Sequence, residues 1–78
     1  MKITLENTDA VTELDGVKCR IWEGQTDTGV PVIAFIPRIA VPEGRPAEDY
    51  SAFEFQLCEK RKPRIASEKD FVDARLVL

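Results

Sequence analysis

Apolar and polar positions alternate through residues 8–41, and two turn signatures cut that stretch into three strands. Leu14-Asp15-Gly16-Val17 is the signature of a two-residue hairpin loop. It pairs Leu14 with Val17, Glu13 with Lys18, Thr12 with Cys19, Val11 with Arg20 and Ala10 with Ile21. Thr26-Asp27-Thr28-Gly29-Val30 predicts a three-residue loop with Gly29 left-handed, which pairs Thr26 with Val30. Trp22 then faces Ala34, Arg20 faces Ile36 and Lys18 faces Arg38. Leu14, Val17, Thr12, Cys19, Ala10 and Ile21 share one side, whereas Glu13, Lys18, Val11, Arg20 and Trp22 share the other. Pro31 and Pro37 support this register: they are an even number of residues apart, so both missing N–H groups fall on the strand edge that points away from residues 17–26. The third strand is therefore an edge strand, or one with a short partner near Ile33 and Phe35.

Outside this meander the pattern is coarser. Lys2 to Glu6 alternates as a short strand with Ile3 and Leu5 inward, and Asn7-Thr8 punctuates it. Pro42-Glu43-Gly44-Arg45-Pro46 reads as a loop. Residues 47–60 predict a helix with Ala47, Tyr50, Phe53, Leu57 and Cys58 on its buried stripe, acidic residues at its start, Lys60-Arg61-Lys62 at its negative pole and Pro63 as its stop. Phe53 to Leu57 also alternates as a strand would, and Phe55 is exposed on the favoured helix. Val72 to Leu78 alternates as a closing strand. The fold predicted for residues 1–78 is one α+β domain. It is a twisted antiparallel sheet of about four to five strands, with one helix packed across the Val17, Cys19, Ile21 and Phe35 face.

Composition adds limits rather than a function. The chain is 44% hydrophobic and 32% charged with a net charge of −3, which suits a soluble globular domain and argues against general nucleic-acid binding. The amino-terminal residues lack the apolar stretch of a secretory signal, and no run has the length of a membrane span. Cys19 and Cys58 are far apart and in no C-x-x-C pattern, which favours a cytoplasmic location over a disulfide framework.

Catalytic chemistry has little to start from. With no histidine, the chain lacks the commonest general base and metal ligand. Cys19 and Cys58 both read as packing residues without an activating neighbour. Glu43, Glu48, Asp49 and Glu54 lack the calcium-loop pattern, and Gly16, Gly24, Gly29 and Gly44 are scattered as turn residues rather than grouped in a phosphate loop. Neither a cofactor nor a metal is predicted.

Two features point to binding. The register gathers Lys18, Arg20 and Arg38 around Trp22 on the sheet face that the helix is expected to leave open. Basic side chains flanking an aromatic plane suit a phosphate, a nucleotide or an acidic protein surface. The plainer alternative is an outer face with weak ion pairs, since Glu13 lies opposite Lys18 and Asp9 near Trp22. Second, Lys60, Arg61, Lys62 and Arg64 form a basic run, while the rest of the chain holds 7 basic and 14 acidic residues. That polarity suits steering of a protein partner, or a solvated helix cap.

Cys19-Arg20-Ile21-Trp22-Glu23-Gly24 with Thr26, followed by Gly29-Val30-Pro31-Val32, resembles a group of small proteins encoded by bacteria and their phages. In that group an Arg-x-Trp-x-Gly hairpin precedes a Gly-(Val or Ile)-Pro-Val strand, a Phe-containing segment like Phe53 to Leu57, and a short hydrophobic tail like Arg75 to Leu78. Phe55 departs from the polar residue found there. The resemblance implies a compact β-rich domain in a phage or mobile-element setting and carries no catalytic residues across. The function predicted is a non-enzymatic binding protein that occupies a surface of a bacterial host protein, such as a defence component. The alternative is a binder of a nucleotide or other anionic small molecule, which is expected to form a homo-oligomer.

Overall fold

The computed structural model describes residues 1–66. Three antiparallel strands, β1 (Ile3–Leu14), β2 (Val17–Thr26) and β3 (Pro31–Ile36), form a sheet in the order β1-β2-β3, followed by helix α1 (Ala47–Leu57). The α+β architecture is as the sequence predicts. The count of about four to five strands is not: three strands form among the described residues, and the predicted closing strand at 72–78 lies outside them.

Local turn chemistry sets the meander. Asp15 at φ 51° and Gly16 at φ 80° both take the left-handed region, the pair of conformations a two-residue loop needs to match the strand twist. At the second turn the Gly29 N–H donates to the Thr26 carbonyl at 3.0 Å, and the Thr26 N–H donates to the Val30 carbonyl at 3.0 Å. Gly29 stands at φ 89°. The predicted register follows, with Arg20 opposite Ile36 and Trp22 opposite Ala34. β3 stops at Ile36, so the expected pairing of Lys18 with Arg38 does not form.

β1 departs from expectation. Asn7-Thr8 does not end a short strand; one strand runs through it to Leu14 and bulges. Asn7 pairs with Trp22 and Val11 with Arg20, so Thr8, Asp9 and Ala10 all oppose Ile21, and the expected Ala10–Ile21 pair is absent. The bulge adds two residues, an even number, and therefore leaves the two faces of β1 in phase. Its polar groups are satisfied internally. The buried Thr8 hydroxyl donates to the Ile21 carbonyl at 2.6 Å and accepts from the Ala10 N–H at 3.3 Å, while Arg20 Nη1 donates to the Thr8 carbonyl at 3.3 Å.

Gly24 is also not a turn residue. It lies within β2 opposite Leu5, where a Cβ would overlap the Thr4 carbonyl oxygen and stand 3.0 Å from Leu5 Cα. Glycine is needed there for close backbone approach rather than for φ.

The side of the sheet carrying Cys19, Ile21 and Glu23 holds the buried positions of β2. Ile3 and Leu5, expected inward, pair with Thr26 and Gly24 and so stand on the Trp22 side, where Ile3 is exposed and Leu5 half-buried. α1 corrects the prediction further. It ends at Leu57 rather than residue 60, has no basic residue in its last turn, and buries none of its side chains. Of the expected stripe only Phe53 and Leu57 are half-buried, whereas Ala47, Tyr50 and Cys58 are exposed. Phe55 is exposed as foreseen, and the helix rather than the strand reading of residues 53–57 holds. The helix is not laid across the Val17, Cys19, Ile21 and Phe35 face. Its last residue meets the opposite face, where Asn7 Nδ2 donates to the Leu57 carbonyl at 3.0 Å. An eleven-residue helix with such slight burial draws little from propensity alone. It is tied at its start by Arg45–Asp49 at 2.6 Å and by the Tyr50 hydroxyl on the Pro42 carbonyl at 2.9 Å.

Candidate functional site

Three of the basic and aromatic residues singled out in the sequence meet in one groove. Arg20, Trp22 and Arg38 line it together with Asn7, Ile36, Pro37, Ile39 and Leu57, around a volume of about 190 Å³. The positions follow from the ladder: Asn7, Trp22 and Ala34 are cross-strand partners on one face, as are Val11, Arg20 and Ile36. The chain beyond β3 carries Arg38 and Ile39 back along this face, and Leu57 closes one end. The helix does not cover the Trp22 face, but its last residue forms one wall of the groove there. Lys18 stands apart, exposed and paired with Glu13 in the ladder, and does not line the groove. Arg20 has a second duty, since its bond to the Thr8 carbonyl braces the bulge. The groove can offer two guanidinium groups and an indole plane to an anionic group.

The basic run does something else. Residues 59–66 leave the helix as a strap that passes the outer edge of β1 and reaches the other side of the sheet. Thr8 and Arg61 form a parallel bridge, in which the Asp9 N–H donates to the Arg61 carbonyl at 2.9 Å and the Arg61 N–H donates to the Asn7 carbonyl at 3.3 Å. Arg61 Nη1 bonds Glu23 Oε1 at 2.6 Å, and Arg61 Nε reaches Glu6 Oε2 at 3.2 Å. Lys62 pairs with Asp9 at 2.9 Å on the surface, so Asp9 does not serve the Trp22 face as expected. Arg61 is committed to the fold rather than to capping α1, Lys62 makes a surface pair, and Lys60, Lys62 and Arg64 are all exposed.

Glu23 is the anchor of this arrangement. Its side chain is fully buried and accepts four bonds: from Arg61 and the Arg64 N–H at Oε1, and from the Ile65 and Ala66 N–H groups at Oε2, at 2.6, 2.8, 2.9 and 2.5 Å. Burial pushes such a carboxyl upward, but here the three backbone N–H groups and Arg61 outweigh it and hold the pKa down to about 2 from the ordinary 4.5. Glu23 correspondingly raises the Arg61 pKa, with Glu6 adding to it, and Asp9 raises that of Lys62.

Glu23 was missed as a key residue by sequence reasoning, although a signal was present. The predicted register already places it on the face of Cys19 and Ile21, and a charge among apolar neighbours demands a cation. Cys58, expected to pack, is exposed, while Cys19 is buried. Among the described residues no cluster of histidine, cysteine or carboxylate side chains is arranged to hold a metal ion, and no helix is long and apolar enough to cross a membrane. No family model, curated protein or solved structure matches the chain.

Proposed function

We propose that this chain is a protein-binding module that seats an acidic side chain of a partner protein in the Trp22 groove. The observation that carries the reading is the convergence of Arg20, Arg38 and Trp22 on one concave site. Size favours a small anionic group. Small-molecule pockets usually enclose roughly 300–1,000 Å³, whereas this groove is an open one of about 190 Å³, a size that suits a carboxylate side chain presented by a partner surface. Apolar neighbours suit a protein surface around that anchor: Val11, beside Arg20 in the ladder, is 53% exposed, and Ile39 in the groove wall is 42% exposed. Aromatic and arginine anchors within such a rim are the usual carriers of interface energy. The resemblance to bacterial and phage-encoded proteins makes a bacterial host protein the partner to seek. Lys60 and Arg64 then serve to steer encounter rather than to hold the complex.

The test is capture from bacterial lysate with the wild type and with Arg38→Glu and Trp22→Ala, followed by calorimetry on the purified partner at several salt concentrations. Arg20→Glu is less suitable, because it also removes the brace on the bulge. Both variants should lose the partner while keeping the far-ultraviolet spectrum of the fold. Wild-type affinity in both overturns the proposal, as does a thermal shift with nucleotides that these variants abolish while no protein partner is bound.

A further inference from the structure

Asn7 joins two structures that lie on different sides of the sheet. Its side chain holds the Leu57 carbonyl at the end of the groove, and its main-chain carbonyl accepts the Arg61 N–H of the strap. Only Cys58, Glu59 and Lys60 separate Leu57 from Arg61, so the chain between them spans at most about 14 Å and cannot absorb a large movement of either end. Asn7 Oδ1 is buried with no hydrogen-bond partner among the described residues. Among the described residues the side-chain amide is therefore held through Nδ2 by the Leu57 carbonyl, while the strap holds the main chain of the same residue.

We propose that the Glu23–Arg61 latch is the positioning element of the Trp22 groove. By fixing the strap against the edge of β1, it fixes Leu57 and Asn7, which form one end of the groove. Glu23 follows Trp22 in β2 but lies on the other face of the sheet, is not among the residues that line the groove, and acts through Arg61, the Thr8–Arg61 bridge and Asn7. The geometry makes the device selective: four bonds converge on one buried carboxylate, so a single substitution that removes its charge and one of its acceptor oxygens weakens the hold on the Arg61 guanidinium and three consecutive backbone N–H groups together. The surface pair Lys62–Asp9, with Lys62 88% exposed, adds little and serves as the control. The functional meaning of this coupling rests on the groove being the working surface, but the coupling itself does not.

Two readouts that need no partner test it. Trypsin cleavage at Lys60–Arg61 and Arg61–Lys62 reports release of the strap, and acrylamide quenching of Trp22, the single tryptophan, reports the groove. Glu23→Gln should raise strap cleavage about tenfold, because cleavage follows the open population, and should raise Trp22 quenching with it while the sheet signal is retained. Lys62→Ser should leave quenching at the wild-type level. If Glu23→Gln does not fold, Glu6→Gln removes the exposed half of the Arg61 pairing and should move both readouts in the same direction by less. A released strap with wild-type Trp22 quenching overturns the coupling, and so does an unchanged cleavage rate in both variants. Intact coupling with no loss of partner binding in the groove variants would instead count against the binding function alone.

Discussion

Acidification should weaken this domain in a way that one substitution identifies. The Glu23 pKa is about 2 in the folded chain against an ordinary 4.5, so the folded state holds this proton less tightly than the unfolded one. Its contribution is fully present above about pH 4.5 and is lost as pH falls through about 2. A difference of that size corresponds to roughly 3 kcal/mol, which solvent access at the strap reduces to about 2–3 kcal/mol. By about pH 3 the linkage integral gives a loss of some 1–2 kcal/mol. A chain of this length is stable by roughly 4–12 kcal/mol, so the loss is a sizeable share. Urea denaturation followed by Trp22 emission at about pH 6 and about pH 3 measures it, and with a urea slope near 1 kcal/mol per molar the midpoint should drop by about 1–2 M. Other carboxylates also titrate in this window. The discriminating comparison is Glu23→Gln, which should be less stable at about pH 6 and show a pH dependence smaller by the same 1–2 kcal/mol. Parallel pH profiles for the wild type and Glu23→Gln would refute the reasoning, because the buried carboxylate would then not be the group that titrates.

Other substitutions probe the sheet. Gly24→Ala should cost about 3 kcal/mol or more in denaturant unfolding, since the new methyl group meets the Thr4 main chain rather than a movable side chain. Thr8→Val keeps the shape of the bulge but removes the bond to the Ile21 carbonyl, and a loss of about 1–3 kcal/mol is expected by the same measurement. Gly29→Val, placed at φ 89°, should lose roughly 1 kcal/mol or more, and an unchanged midpoint would contradict the turn. In thiol labelling of the native protein Cys58 should react quickly and Cys19, 4% exposed, only on unfolding.

Much of the sheet was legible in the sequence because its determinants are local. Asp15-Gly16 and Gly29 fix two turns by conformational demand, the two-residue period assigns faces, and the parity of Pro31 and Pro37 confirms the β2–β3 register. From these alone Arg20 and Trp22 share a face, and they are two of the three residues on which the candidate site rests. The strand prediction failed at Thr8 to Ala10, because a bulge that keeps its parity leaves no mark on the alternation of the residues beyond it. The role of Gly24 was hidden for a related reason: close approach of two backbones is a property of the pair and not of either strand.

Tertiary structure alone decided on which side the helix end lies and what the basic run does. The weak apolar stripe of α1, which buries no side chain, could not choose between two faces, and the choice fell to one amide, Asn7, on the Leu57 carbonyl. Lys60 to Arg64 has the composition of a solvated cap, and nothing within its own sequence distinguishes that from a latch. The difference lies in Glu23, 38 residues before Arg61, whose burial makes a cation obligatory. Sequence shows that such a charge is misplaced on an apolar face; only the path of the chain shows which of the eleven basic residues answers it.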